Sequence, residues 1–284
     1  MQAVAENGPL LCVFIPRDGA PVAAARHPGS LNELLPEWPS AGAGELLVFR
    51  PGQRMFRTTL QVAVRACRRA TVVLPATGLL EVSARVWICG SLAARPDAAR
   101  EAEWQLAAVN QCLATGAAPA DSGIRLRLLE LRLAPALSLH RPEEIDCFSP
   151  MAEASPEADV VDIYLHNQPF RARACPIYRR IFLGYPGLHR FTLAHEFAHL
   201  LGMPQRAHVD DNPYLERGNV MDNSPPGGIG ALTLGQLCIF NLHVHSLAAR
   251  IRANREPRFP LRRMIDERGC PMKGPSLGFH FPTP

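Results

Sequence analysis

The chain has 284 residues, 47% of them hydrophobic, with 30 basic and 26 acidic residues and a formal net charge of +4. That is apolar material enough for one large domain or two small ones. Acids are interleaved with bases along the chain, which excludes the clustered footprint of a nucleic-acid-binding protein, and no run approaches the ~18 apolar residues of a membrane span.

From Met1 to Pro16 there is no basic lead, and the apolar run Leu10 to Ile15 is too short for a signal core. The expected location is therefore cytoplasmic, or outside the cell by a route without a cleavable signal. From Leu46 to Gly90 the pattern alternates at period two. Leu60, Val62 and Val64 share one face, and Leu80, Val82, Ala84, Val86 and Ile88 share another. Such alternation, punctuated by Pro51-Gly52, Pro75 and Gly78, predicts β-strands. Residues 1–93 are read as a small β-rich region of unassigned role, with Leu80 to Ile88 alternatively the first strand of the sheet that follows.

Pro96 and Asp97 open a helical stretch with Ala102, Leu106, Val109 and Leu113 at spacings of three or four, closing at Gly116. Strands are predicted at Ile124 to Leu133, Val160 to Leu165 and Arg180 to Gly184, with a Pro-, Ser- and Glu-rich surface loop over 134–157. Eight cysteines, at 12, 67, 89, 112, 147, 175, 238 and 270, form no Cys-x-x-Cys pair. In a chain without a secretory signal, free thiols are the expectation.

The segment His195-Glu196-Phe197-Ala198-His199-Leu200-Leu201-Gly202 carries the chemistry. With ~3.6 residues per helical turn, His195 and His199 lie one above the other and can offer ring nitrogens to one ion. Glu196 is turned about 100° from His195, where its carboxylate can serve as a base beside the metal. Zinc accepts such imidazoles, keeps a position open for water at catalytic sites, and lowers the pKa of that water toward ~7. The helix is apolar nearly all round, which predicts burial. Gly202 supplies the left-handed residue that ends it, and Pro204 forbids resumption.

A last helix is expected to start at Thr233, where Thr-x-x-Gln up to Gln236 reads as a capping box. Its stripe of Leu237, Phe240, Val244, Leu247 and Ile251 would pack beneath the site. His243 and His245 face different directions on it and are read as surface or packing residues. Residues 255–284 are read as an irregular Pro-rich tail.

Taken together, His195, Glu196, His199 and Gly202, the segment Asn219-Val220-Met221-Asp222, and the run Gly230 to Gln236 resemble the metzincin clan of zinc endopeptidases. The resemblance spans about residues 80 to 254, its strong motifs only 195 to 236. It implies an α+β fold: a twisted mixed sheet, an active-site helix, a methionine turn at Met221 and a C-terminal helix, in a catalytic domain over 94–254. One position departs. The clan has His or Asp three residues after the glycine, and Gln205 stands here, a poor zinc ligand beside imidazole or carboxylate. His208 is the preferred third ligand, with Asp210 and then Asp211 as alternatives, after a loop lengthened by about three residues. A tyrosine found in some members two residues past the methionine is replaced by Asn223, and Tyr214 could substitute.

The expected function is that of a zinc-dependent endopeptidase acting on a peptide or protein substrate, with Zn2+ held by His195, His199 and His208 and Glu196 as general base. Strand Arg180 to Gly184, if it edged the cleft, would pair with an extended substrate. The competing readings are a catalytically silent, zinc-stabilised interaction module and a zinc hydrolase of a non-peptide amide.

Overall fold

The computed structural model describes residues 10–16, 22–27, 42–49, 56–62, 79–114, 122–137, 147, 159–167, 172–185, 188–203, 219–221, 232, 234–252 and 264–265, the strands before residue 63 and at 264–265 through their backbone alone. The architecture is α+β, with two five-stranded sheets.

The first sheet is a run of antiparallel pairs. Strand β1 (Leu10–Pro16) lies between β2 (Val22–His27) and β3 (Gly42–Phe49), and β4 (Phe56–Val62) pairs with β3. Two residues of the tail return to it. Met264–Ile265, the last of the described strands, pairs in parallel with Val22 and Ala23 of β2.

The second sheet contains β5 (Leu80–Cys89), β6 (Ile124–Ala134), β7 (Val160–His166), β8 (Arg173–Cys175) and β9 (Arg180–Gly184), in the order β6-β5-β7-β9-β8. Strand β5 is thus the first of this sheet and not part of the N-terminal one, the alternative that the sequence had left open. Four strands run parallel, and β8 alone is antiparallel, against β9. Because β9 is flanked by β7 and β8, it is not the edge expected of it; the edge falls to β8.

Each face of this sheet has its own chemistry. Val82, Ala84, Val86 and Ile88 of β5, with Val161, Ile163 and Leu165 of β7, point into the main core, where all are buried. The alternate residues line the other face. There Asp162 accepts from Arg85 Nη1 at 3.3 Å and from Trp87 Nε1 at 3.1 Å, and the rings of Trp87, Tyr164 and Phe182 stack in a row across three strands. A parallel strand covered on both sides has to be apolar or internally paired at every position, and all seven residues of β7 are buried.

Helix α1 (Ala98–Ala114) connects β5 to β6, buries Ala102, Leu106, Val109 and Leu113 as their spacing predicts, and packs on the core face beside α2 (Thr192–Leu200). The single C-terminal helix predicted from Thr233 is in fact two, α3 (Leu234–Leu242) and α4 (Leu247–Ile251). Ser246 makes the break. Its Oγ donates to Phe240 O at 2.6 Å and accepts from Ala249 N–H at 3.4 Å, so one hydroxyl ties off α3 and caps α4.

The expectation of free thiols is corrected at one pair: Cys147 and Cys175 form a disulfide with a Cα–Cα distance of 5.5 Å, tying the β6–β7 connection to the end of β8. Cys89 and Cys112 are buried thiols outside any disulfide, and burial pushes each up to about 12. Cys12, Cys67, Cys238 and Cys270 have no described side chains. No helix among the described residues is long and apolar enough to cross a membrane.

Candidate metal centre

Helix α2 is short, and both of its ends are built by specific contacts. Its first turn has no side-chain cap from Phe191. The neighbouring helix supplies one: buried Gln105 of α1 accepts the Leu193 N–H at 3.2 Å and donates to His189 O at 2.9 Å. This cap in trans fixes the register of α2 against α1.

At the other end Gly202 adopts φ +97°. Met203 N–H reaches back to Ala198 O at 3.0 Å and Gly202 N–H to His199 O at 3.1 Å, the paired bonds of a Schellman turn. The glycine is required twice over. Its φ suits no side chain, and a Cβ would stand 3.3 Å from His243 Nδ1, Ile239 Cγ2 and Ser246 N.

Between these ends His195 and His199 face each other, ring centroids 5.1 Å apart and planes at 80°. Each ring has its Nδ1 on a backbone carbonyl. His195 Nδ1 lies 3.0 Å from Val220 O, and His199 Nδ1 lies 3.0 Å from Met203 O. A carbonyl only accepts, so both contacts select the tautomer protonated at Nδ1 and put the lone pair of each ring on Nε2. Zinc-binding histidines are oriented by this kind of outer hydrogen bond. Glu196, between them in sequence, is 6% exposed, His199 2%. On the donor set, the residues fit zinc.

The segment Asn219 to Met221 lies against His195 of α2. Met221 is fully buried, and Val220 between it and Asn219 supplies the carbonyl that holds His195. Two residues whose meeting the sequence did not show hold this segment. Asn219 and Gln236 join side chain to side chain, Asn219 Nδ2 donating to Gln236 Oε1 at 2.9 Å and Gln236 Nε2 to Asn219 Oδ1 at 2.8 Å. The same Oδ1 accepts Met221 N–H at 3.0 Å. Gln236, assigned from the sequence to a capping box with Thr233, thus turns its amide to the methionine segment. Asn two before Met and Gln three after Thr were visible as motif letters, but nothing in their spacing said that they meet.

His243 is buried against Gly202, and its Nδ1 accepts the His245 N–H at 3.3 Å. Burial first, and the nearby His245 second, pull its pKa down to about 4, as suits a neutral packing residue. A cavity of about 10 Å3 between α1, α2 and α3, lined by apolar side chains including Val109, Leu113, Ala198 and Phe240, is too small for a substrate.

His208, Asp210 and Asp211, the candidates for third ligand, lie outside the described residues, as do Gln205, Tyr214, Asn223 and Thr233. Among the described residues no group of three His, Cys, Asp or Glu converges on one point. Two histidines and the adjacent glutamate are what the described part brings together.

No family model matches the chain, and no curated protein does. Among solved structures, one titled "Structure of a chaperone-substrate complex" aligns over 64% of this chain at 11% identity, with a TM-score of 0.43. This chain spans 33% of that one's length, and the likeness is too loose to bear on fold or role.

Proposed function

We propose that the chain is a zinc-dependent peptidase of metzincin-like fold. The observation that carries this is the pair His195 and His199, side by side on α2, each held through Nδ1 by a backbone carbonyl at 3.0 Å. A histidine pair that served packing alone would have no need of matched tautomers. The burial of Glu196 at the same level of the helix and the methionine segment against His195 support the reading, as does the sheet order with one antiparallel edge strand, β8.

Zinc, held by His195, His199 and a third ligand for which His208 is the first choice, would polarise the scissile carbonyl and acidify the attacking water. Glu196 takes the proton from that water and afterwards delivers it to the leaving amine. Its low exposure keeps bulk water from competing for that proton. An extended substrate would lie along β8, the edge of the sheet, and the assignment of that role to β9 is withdrawn. The Cys147–Cys175 disulfide supports action in an oxidising compartment.

The test is zinc stoichiometry together with hydrolysis of a diverse peptide library. Glu196→Gln is expected to keep its zinc and lose at least about 100-fold in turnover, the usual scale of general-base catalysis. Full activity in that variant would sink the mechanism. His208→Ala is expected to bind zinc more weakly; unchanged affinity would move the third ligand to Asp210, tested in the same way. A wild type that binds one zinc and cleaves no peptide would favour the silent interaction module.

A further inference from the structure

We infer that Asn219 and Gln236 form a positioning pair for the metal centre, setting the orientation of the His195 ring through the peptide that carries Val220 O. The inference rests on the zinc reading above.

The argument starts from what two carboxamides can do head to head. Each gives one N–H and takes one C=O, so the pair fixes both the distance and the rotation of the two side chains. Here the two bonds measure 2.9 and 2.8 Å, and both residues are buried, Asn219 at 4% and Gln236 at 0% exposed. Gln236 stands on α3, whose Leu237, Ile239, Phe240 and Leu242 are all buried in the main core, so it is a fixed point. Asn219 Oδ1 then spends its second lone pair on Met221 N–H at 3.0 Å. Asn219 and Met221 bracket Val220, whose carbonyl oxygen is therefore aimed by its two neighbours. That oxygen receives His195 Nδ1 at 3.0 Å. A continuous path of hydrogen bonds thus runs from a core helix to Nδ1 of the His195 ring, and Nε2 of that ring is the atom that would meet the metal.

A buried amide pair is not needed for stability, because an apolar pair of like volume serves as well, whereas removal of one member strands the other. What an apolar pair cannot do is accept the Met221 N–H and hold the plane of the Val220 peptide. This separates positioning from packing.

The experiment compares the wild type with Gln236→Met, the double variant Asn219→Leu/Gln236→Met, and Asn219→Asp. Three quantities are read: the melting temperature of the metal-free protein, the zinc dissociation constant by chelator competition, and the visible absorption spectrum of the Co2+-loaded form. Gln236→Met should lower the melting temperature and weaken zinc binding. The double variant should recover part of the melting temperature, the stranded Met221 N–H keeping it below the wild type, yet bind zinc about 10- to 100-fold more weakly, the range seen when outer-sphere partners of metal ligands are lost, with a changed Co2+ spectrum. Asn219→Asp loses the Nδ2 donor but keeps the Oδ1 acceptor for Met221 N–H, and should bind zinc more tightly than Gln236→Met. Wild-type zinc affinity and Co2+ spectrum in the double variant would overturn the inference alone. If the double variant does not fold, Gln236→Met and Asn219→Asp decide: equal zinc affinities in the two overturn it. A wild type that binds no zinc overturns both the inference and the reading beneath it.

Discussion

A side chain at position 202 would need a backbone angle that only glycine adopts without strain, and would press on three atoms of the α3–α4 junction at 3.3 Å. Those atoms belong to the turn made by Ile239, His243 and Ser246. Gly202→Ala is therefore expected to destabilise the protein by roughly 1 to 3 kcal/mol through the left-handed conformation and local displacement. It should also shift Met203 O, the acceptor for His199 Nδ1, and so weaken zinc binding. A denaturation midpoint and a zinc titration on one sample check both, and a variant unchanged in either measure contradicts the account of the α2 terminus. At the same scale, the histidine pair and the glutamate could be named from the sequence because helical spacing alone brings them together. Asn219, Gln236 and Gln105 could not, because each meets its partner across 17 residues or 84, and no local pattern encodes such a meeting.

At the scale of elements, the strands with regular alternation were legible and the interruptions were not. Strand β5 alternates from Leu80 to Ile88 and forms over Leu80–Cys89, one residue past the predicted end. In β6 the core-facing residues run Ile124, Leu126, Leu128 and then change parity to Leu131. The pairing shows why: the register slips between Ala84 and Arg85, and Leu129 is the extra residue of a β-bulge, 53% exposed. The break between α3 and α4 was equally hidden, since the apolar stripe continues through it and only the Ser246 hydroxyl, bonded to Phe240 O, marks it. Strand β8 has three residues, and its end is held by the disulfide to Cys147, 28 residues earlier. A Cys147→Ser/Cys175→Ser double variant is expected to lose about 2 to 4 kcal/mol, the usual effect of opening a loop of this length. Reduction with dithiothreitol should produce the same loss in the wild type and none in the variant. Equal stability in all forms would show that β8 holds without its tie.

For the whole molecule, two buried histidines in separate places act on stability in one direction. His166 lies on the aromatic face of the second sheet and His243 behind α2, and burial lowers each from 6.5 to about 4. The unfolded chain protonates both near 6.5. Between pH 6.5 and 4 it binds protons that the folded chain refuses, so stability is complete above 6.5 and falls as pH drops toward 4. Each histidine accounts for up to about 3 kcal/mol of that fall. Urea unfolding across this interval should show the decline, and His243→Gln should make it shallower. A flat profile in the wild type would refute the burial of neutral imidazoles at both positions.

The place of β5 in the second sheet also bears on how the protein is made. It is the first strand of that sheet to be synthesised, yet it lies second from an edge with a partner on each side. Its contact with β7 joins Arg85 to Asp162, 77 residues later. At translation speeds of 5 to 20 residues per second, the interval before that partner emerges is on the order of ten seconds. During it the row Val82, Ala84, Val86 and Ile88 belongs to a strand with one flank open, able to pair with any other nascent chain. Helix α1 and β6 follow within the next 45 residues and close the other flank and the core face, and the parallel pairing with β7 carries the slow, non-local part of folding. Strand β5 thereby carries a risk of misassembly confined to one window of its synthesis.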